Sequence, residues 1–216
     1  FAWPKNHFTE FAMLLWLVIH WTTSIKSNLN IGVRHLLPTY PFAIILVSGQ
    51  IKRLLEYFKN KSPKLVFSYW FLVIGLLGWY VAENIRTWPY YLAYFNQLAG
   101  GPGNGYRYVV DSNLDWGQDL KRLSRWVKEN NIEKIHLDYF GWSDPVYYLG
   151  TKFQWLTAGQ YRNAQDFINQ TGGGYLAVSA TFYMGSRENP ATSYAWLDSF
   201  KPVAVIGNSI WVWELR

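Results

Sequence analysis

Three apolar runs dominate the first 82 residues, and a different rhythm takes over from residue 106. The runs are Phe8–Thr23, His35–Ile51 and Leu65–Ala82, the last without a charge over 18 residues. A bilayer core of roughly 30 Å needs about 20 helical residues. The third run meets that length, the second sits at its lower edge, and the first is short and carries Glu10 and His20. Residues 1–82 are therefore expected to hold two to three transmembrane helices. Residues 83–105 form a junction rich in aromatics (Trp88, Tyr90, Tyr91, Tyr94, Phe95). Such amphipathic rings suit an interfacial helix after Pro89, which GGPGNG at 100–105 would end. Residues 106–216 alternate between strand and helix patterns. Tyr106–Asp111, Lys134–Phe140 and Gly174–Phe182 read as strands, and Val203–Gly207 with Ile210–Leu215 as a hairpin turned at Gly207-Asn208. Asp115–Asn130 reads as a helix burying Leu120, Leu123, Trp126 and Val127, and Asn163–Asn169 as a shorter one. This order predicts an α/β domain with a mainly parallel sheet and an antiparallel edge.

Charge changes the picture in one respect. The net +6 and pI near 9.4 invite a nucleic-acid reading, but the excess is not on the α/β half. Residues 1–82 carry all of it, and residues 83–216 are neutral. Within the first part, Lys52, Arg53, Lys59, Lys61 and Lys64 crowd the segment 52–64 between two apolar runs. That is the pattern of a cytoplasmic loop, since Lys and Arg resist translocation. Segment 24–34 and everything after Ala82 then face outward, giving a multi-pass protein of the cell (inner) membrane with an extracytoplasmic C-terminal domain. Its partners are the lipid bilayer and extracytoplasmic molecules, with no nucleic acid. Zero cysteines exclude a disulfide scaffold, a zinc finger and a thiol nucleophile. The chain opens FAWPKNH without an initiator Met, and reads as the C-terminal piece of a longer protein.

Candidate chemistry concentrates in DSNLDWGQDL, Asp111–Leu120, where a strand is expected to end and a helix to begin. The carboxyl end of a strand in an open α/β sheet is where ligands usually bind. Asp111, Asp115 and Asp119 lie four apart, with Asn113 and Gln118 between them. Such a set can bind sugar hydroxyls, orient an acceptor or hold a divalent cation through oxygens. The competing reading is structural: Ser112-x-x-Asp115 resembles a capping box, and carboxylates in a first turn offset the helix dipole. A second constellation is Arg34-His35, ahead of Pro38 and Pro41, which suits contact with a lipid phosphate or simple interfacial anchoring. His136 on its strand reads as a satisfied core histidine. No catalytic triad, P-loop or Cys/His metal spacing is present.

NIGVRHLLPTYPF (30–42) and YLAYFNQLAGGPGNGYRYVVDSNLDWGQDLKRL (91–123) resemble the C-terminal region of polyprenyl-phosphate-dependent membrane glycosyltransferases of the GT-C type. Dolichyl-phosphate-mannose protein mannosyltransferases and aminoarabinose transferases belong to that group. The resemblance implies an integral membrane enzyme that moves a sugar from a polyprenyl-phosphate donor to a glycan, lipid or protein acceptor on the extracytoplasmic face. It implies Arg34 and His35 as donor-phosphate contacts, and Asp111, Asn113, Asp115 and Gln118 as a wall of the acceptor side. The family's presumed catalytic acid lies in an N-terminal loop that this sequence does not contain, so no residue here is named as general base. The alternatives are a non-catalytic membrane-anchored α/β module that binds glycan or a partner protein, and a structural subunit of an envelope complex.

Overall fold

Runs of Leu, Ile, Phe and Trp with few helix breakers make the first part of the chain helical. Residues 2–27, 32–61 and 63–216 are described by the computed structural model. They fall into two units, Phe1–Arg86 and Thr87–Arg216. The first unit contains α1 (Ala2–Asn6), α2 (Phe8–Lys26), α3 (Val33–Leu36), α4 (Tyr40–Lys61) and α5 (Pro63–Thr87). By length and composition, Phe8–Lys26 and Lys64–Thr87 are long and apolar enough to cross a membrane. The most apolar 18 residues of each contain no residue buried within the protein. The helix α4 packs beside α2, with Trp16 edge-on to Phe42 at 6.4 Å and Arg53 3.3 Å from Glu10.

The middle run departs from expectation. Instead of a span ending at Ile51 and a basic loop, α4 continues to Lys61, so Lys52, Arg53 and Lys59 ride on a helix. Residues 52–61 contain neither Gly nor Pro, and Leu, Lys, Arg and Glu are good helix formers. Pro38 sits in a 3-10 turn (Leu37–Thr39) and Pro41 in the first turn of α4, where a missing N–H costs little. Residues 28–31 of the expected outer segment 24–34, and Ser62 of the basic segment, lie outside the described residues.

The second unit is built on a five-stranded sheet of β1 (Ile135–Asp138), β2 (Phe153–Trp155), β3 (Gly174–Ser179), β4 (Ala204–Ile206) and β5 (Ile210–Leu215). Their spatial order is β2-β1-β3-β5-β4. The sheet is mixed, not mainly parallel: β1 pairs parallel with β2 and β3, while β5 is antiparallel to both β3 and β4. The cause is the hairpin at Gly207-Asn208, both at positive φ, which returns β5 beside β4 and into the sheet next to β3. Apolar residues on both faces bury the sheet. On one side Leu137, Ala177 and Val212 meet Leu120, Leu123 and Val127 of α6 (Leu120–Glu129). On the other, Leu176, Val178 and Trp213 meet Phe167 of α8 (Ala164–Thr171), with Tyr183 and Leu197. The short α7 (Pro145–Leu149) links β1 to β2, and α9 (Ala180–Gly185) follows β3.

Four expectations for this unit are not met. No strand forms at Tyr106–Asp111. Pro102–Arg107 is a 3-10 turn, and the amides of Tyr108 and Val109 bond back to the Gly105 carbonyl at 3.0 and 3.2 Å. Tyr106 and Val110 still face the core, so a strand-like alternation arises from irregular backbone. The expected interfacial helix after Pro89 reduces to two 3-10 turns, Tyr91–Ala93 and Gln97–Ala99. The helix expected from Asp115 begins only at Leu120, because Gly117 at φ 77 stands in the way. Gly174–Phe182 is strand only to Ser179 and then helix.

Candidate functional site

After β1 the chain turns toward β2, and after β3 it turns to the opposite side of the sheet. The gap between their carboxyl ends is thus a topological switch point, the place where open α/β sheets bind ligands. Here the segment 111–119 runs into it. The Asp111 amide donates to Thr181 Oγ1 at 3.0 Å, and the Tyr139 hydroxyl donates to the Gly117 carbonyl at 2.7 Å. Gly117 is essential to the approach: a Cβ there would run into the Tyr139 hydroxyl and the Gly141 backbone. Gly207, at φ 60, plays the same part opposite, since a Cβ would enter the Asp119 carboxylate.

This packing fully buries Asp115 and Asp119. Asp119 is well compensated. Its Oδ2 accepts from Ser209 Oγ at 2.7 Å, and its Oδ1 pairs with the Arg122 guanidinium. Asp115 is only half compensated. Oδ1 accepts from the Gly117 amide at 2.9 Å, while Oδ2 has no hydrogen-bond partner. Burial pushes its pKa up to about 7, and the nearby Asp119 adds to the rise. The Gly117 amide and the Ser179 and Ser209 hydroxyls pull it back in part, although neither hydroxyl closes a bond on Oδ2. A carboxyl that holds its proton near neutrality has the range of a general acid or base. Its complete burial makes it a positioning group in this conformation.

The motif meets solvent at a neighbouring pocket of about 290 Å3, lined by Pro89, Tyr90, Tyr91, Gln118, Asp119, Arg122 and Gly207 among others. The Arg122 guanidinium lies 4.7 Å from the Tyr90 ring centroid and donates to the Pro89 carbonyl at 3.4 Å. Aromatic walls beside a carboxylate, an amide and a guanidinium suit a small polar ring. The volume lies at the low end of the roughly 300–1,000 Å3 typical of ligand pockets.

The sequence candidates separate on inspection. Asp115 and Gln118 belong to one assembly, and Gln118 alone of the four acceptor-side candidates lines the pocket. Gln118 is also a local brace, accepting from the Trp116 amide at 2.7 Å and donating to the Leu114 carbonyl at 3.1 Å. Asp111 is exposed at φ 57 and holds the Ser112 amide with its own carboxylate. Asn113 Nδ2 donates to the Val110 carbonyl at 3.4 Å. The capping reading of Ser112 and Asp115 is overturned, since a short 3-10 turn (Asp111–Asn113) stands there and α6 starts only at Leu120. Among the described residues no three His, Asp or Glu side chains converge to hold a metal ion. In the first unit Arg34 is exposed on α3, and the His35 carbonyl lies 2.8 Å from His20 Nε2. Tyr90, Tyr91 and Arg122 were not foreseen; the spacing Asp119-x-x-Arg122 at a helix start is the signal that could have found the last.

Two buried groups lie outside this pocket. Asp138 accepts from the Tyr194 hydroxyl at 2.6 Å, and burial pushes its carboxyl up to about 6. Replacing Tyr194 by Phe is expected to cost about 1–3 kcal/mol by leaving Asp138 without that donor. The loss should show in urea unfolding at pH 8 and shrink at pH 5, where Asp138 is protonated. His136 is buried against Phe167 at 5.0 Å, and burial lowers its pKa. Its Nδ1 has no hydrogen-bond partner, so it is not the satisfied core histidine the strand pattern suggested.

Comparison with known proteins finds no family model, no curated protein and no solved structure that matches this chain.

Proposed function

We propose that this chain is the C-terminal part of an integral membrane glycosyltransferase that takes sugar from a polyprenyl-phosphate donor on the extracytoplasmic face. The observation that carries the reading is the pocket beside the switch point. Its polar wall comes from the same DSNLDWGQDL segment on which the resemblance rests, and its aromatic wall from Tyr90 and Tyr91. In this reading the pocket receives the acceptor, with Gln118 and Arg122 as hydrogen-bond donors to it. Asp115 holds the loop from behind. Arg34, on the first unit, neutralises the donor phosphate as it leaves. In this reading α4 crosses the membrane between the two apolar helices, so that Arg34 lies on the outer side and the basic end of α4 lies toward the cytoplasm.

The test is transfer kinetics in reconstituted membranes with radiolabelled polyprenyl-phosphate sugar. Arg34→Ala should raise the donor KM about tenfold with the acceptor KM unchanged, the scale of one lost charge-assisted hydrogen bond. Gln118→Ala should do the reverse. Absence of transfer from any such donor, or equal effects of both variants on both constants, would overturn the assignment.

One observation favours the non-catalytic alternative, a membrane-anchored module that binds glycan. Trp142, directly after Gly141, is 91% exposed, as a glycan-stacking ring would be. Retained glycan binding without transfer would select that reading.

A further inference from the structure

The net neutrality of residues 83–216 conceals a strong local imbalance. Three of its carboxylates, Asp115, Asp119 and Asp138, are buried inside the unit. On the outside of α6, Lys121, Arg125 and Lys128 follow one another at positions i, i+4 and i+7, a single helical face. Lys152, arriving after α7, completes the ring. Together with Ser124 and Tyr148 these cations line a groove of about 540 Å3 between α6 and α7, and no carboxylate lines it. All four cations are exposed, and among the described residues none is in an ion pair with Asp or Glu. Lys152 Nζ donates to the Ile132 carbonyl at 3.3 Å and still lines the groove.

Four like charges in one groove repel one another, and each loses free energy when a polyanion enters between them. Arg125 supplies a planar fork matched to two phosphate oxygens, and the three lysines supply point charges around it. Tyr148 adds a hydroxyl able to donate to a further oxygen, while the Ser124 hydroxyl is already spent on the Lys121 carbonyl at 3.0 Å. The apolar floor, Val127 and Leu149, leaves room for a short apolar or sugar portion next to the charged head.

We infer that the α6–α7 groove is a binding site for a phosphate-bearing anion, separate from the pocket at Tyr90 and independent of the glycosyltransferase reading. The recognised chemistry is a phosphate or pyrophosphate group, carried either by a soluble molecule or by an anionic lipid headgroup.

The absence of cysteine provides the test. Ser124→Cys places one thiol in the groove of the full chain. In detergent, inorganic pyrophosphate at ten times its Kd should slow maleimide labelling about tenfold, in proportion to 1 + [L]/Kd. In nanodiscs, phosphatidylglycerol in place of phosphatidylcholine should slow labelling if the source is a lipid headgroup. Protection in either arm supports the site and identifies the source. Adding Lys121→Gln, Arg125→Gln and Lys128→Gln should abolish that protection; should this variant melt early, Arg125→Gln alone serves instead. Unchanged labelling in both arms, or protection that survives removal of the charges, would overturn the inference.

Discussion

Gly117→Ala is expected to cost the C-terminal unit about 2–5 kcal/mol. A non-glycine residue at φ 77 costs roughly 1–2 kcal/mol, and forcing a methyl into a closed site typically costs another 1–3. Relief by rotamer change is not on offer here. The added Cβ meets the Gly141 backbone as well as the Tyr139 hydroxyl, and Tyr139 is itself held by its bond to the Gly117 carbonyl. Against a total stability of about 5–15 kcal/mol this is a large fraction. It should lower the melting temperature by roughly 10 °C, read by tryptophan fluorescence of the purified protein. Gly103→Ala is the control, because a Cβ there meets nothing within 4 Å and its φ is not positive. Equal melting of the two variants would show that the loop does not close on β1 as described.

Asp115→Asn is expected to stabilise the protein at pH 8 while leaving the loop in place. The unfolded carboxyl titrates near 3.8 and the folded one at about 7, so the native state binds the proton more tightly. Native stability contributed by this group therefore falls as pH rises from about 4 to 7 and is lowest above 7. Asparagine fits the same space, still accepts from the Gly117 amide and never ionises. The variant should gain about 2–4 kcal/mol over the native protein at pH 8 and only about 1 kcal/mol at pH 4.5, measured by urea unfolding. Asp138 contributes with the same sign up to about pH 6 and remains in the variant. Loss of the proposed sugar transfer in the stabilised variant would mark Asp115 as retained for activity at the expense of stability. A variant both stable and fully active would reduce it to a packing residue.

Much of the sheet was legible because its buried strands carry compact apolar runs. Ile135–Asp138 and the Gly207-Asn208 hairpin fall where periodicity and turn chemistry put them. Leu120, Leu123 and Val127 do face the core as their spacing implies. The strand β2 was illegible: three residues with two of them exposed, Gln154 and Trp155, carry no burial signal and exist through pairing with β1. The false strand at Tyr106–Asp111 has the opposite origin, since core-facing side chains in irregular backbone imitate a period of two. The DSNLDWGQDL segment was recognisable as a candidate site, but its architecture was not. Its meaning depends on Ser209 and Gly207, far away in sequence and brought to Asp119 only by the completed sheet.

That distance has a consequence for how the site comes into being. Asp119 and Ser209 are 90 residues apart, and Gly207 lines the pocket with Gln118 and Arg122. The pocket is thus assembled by the last strand pair, not by the motif that dominates its wall. Closing so long a loop is entropically costly and is repaid only when β5 inserts beside β3. During synthesis the motif emerges some 90 residues ahead of the hairpin that satisfies Asp119, and until then its two carboxylates wait to be buried. A product truncated before Gly207 would carry the whole motif and yet have no site.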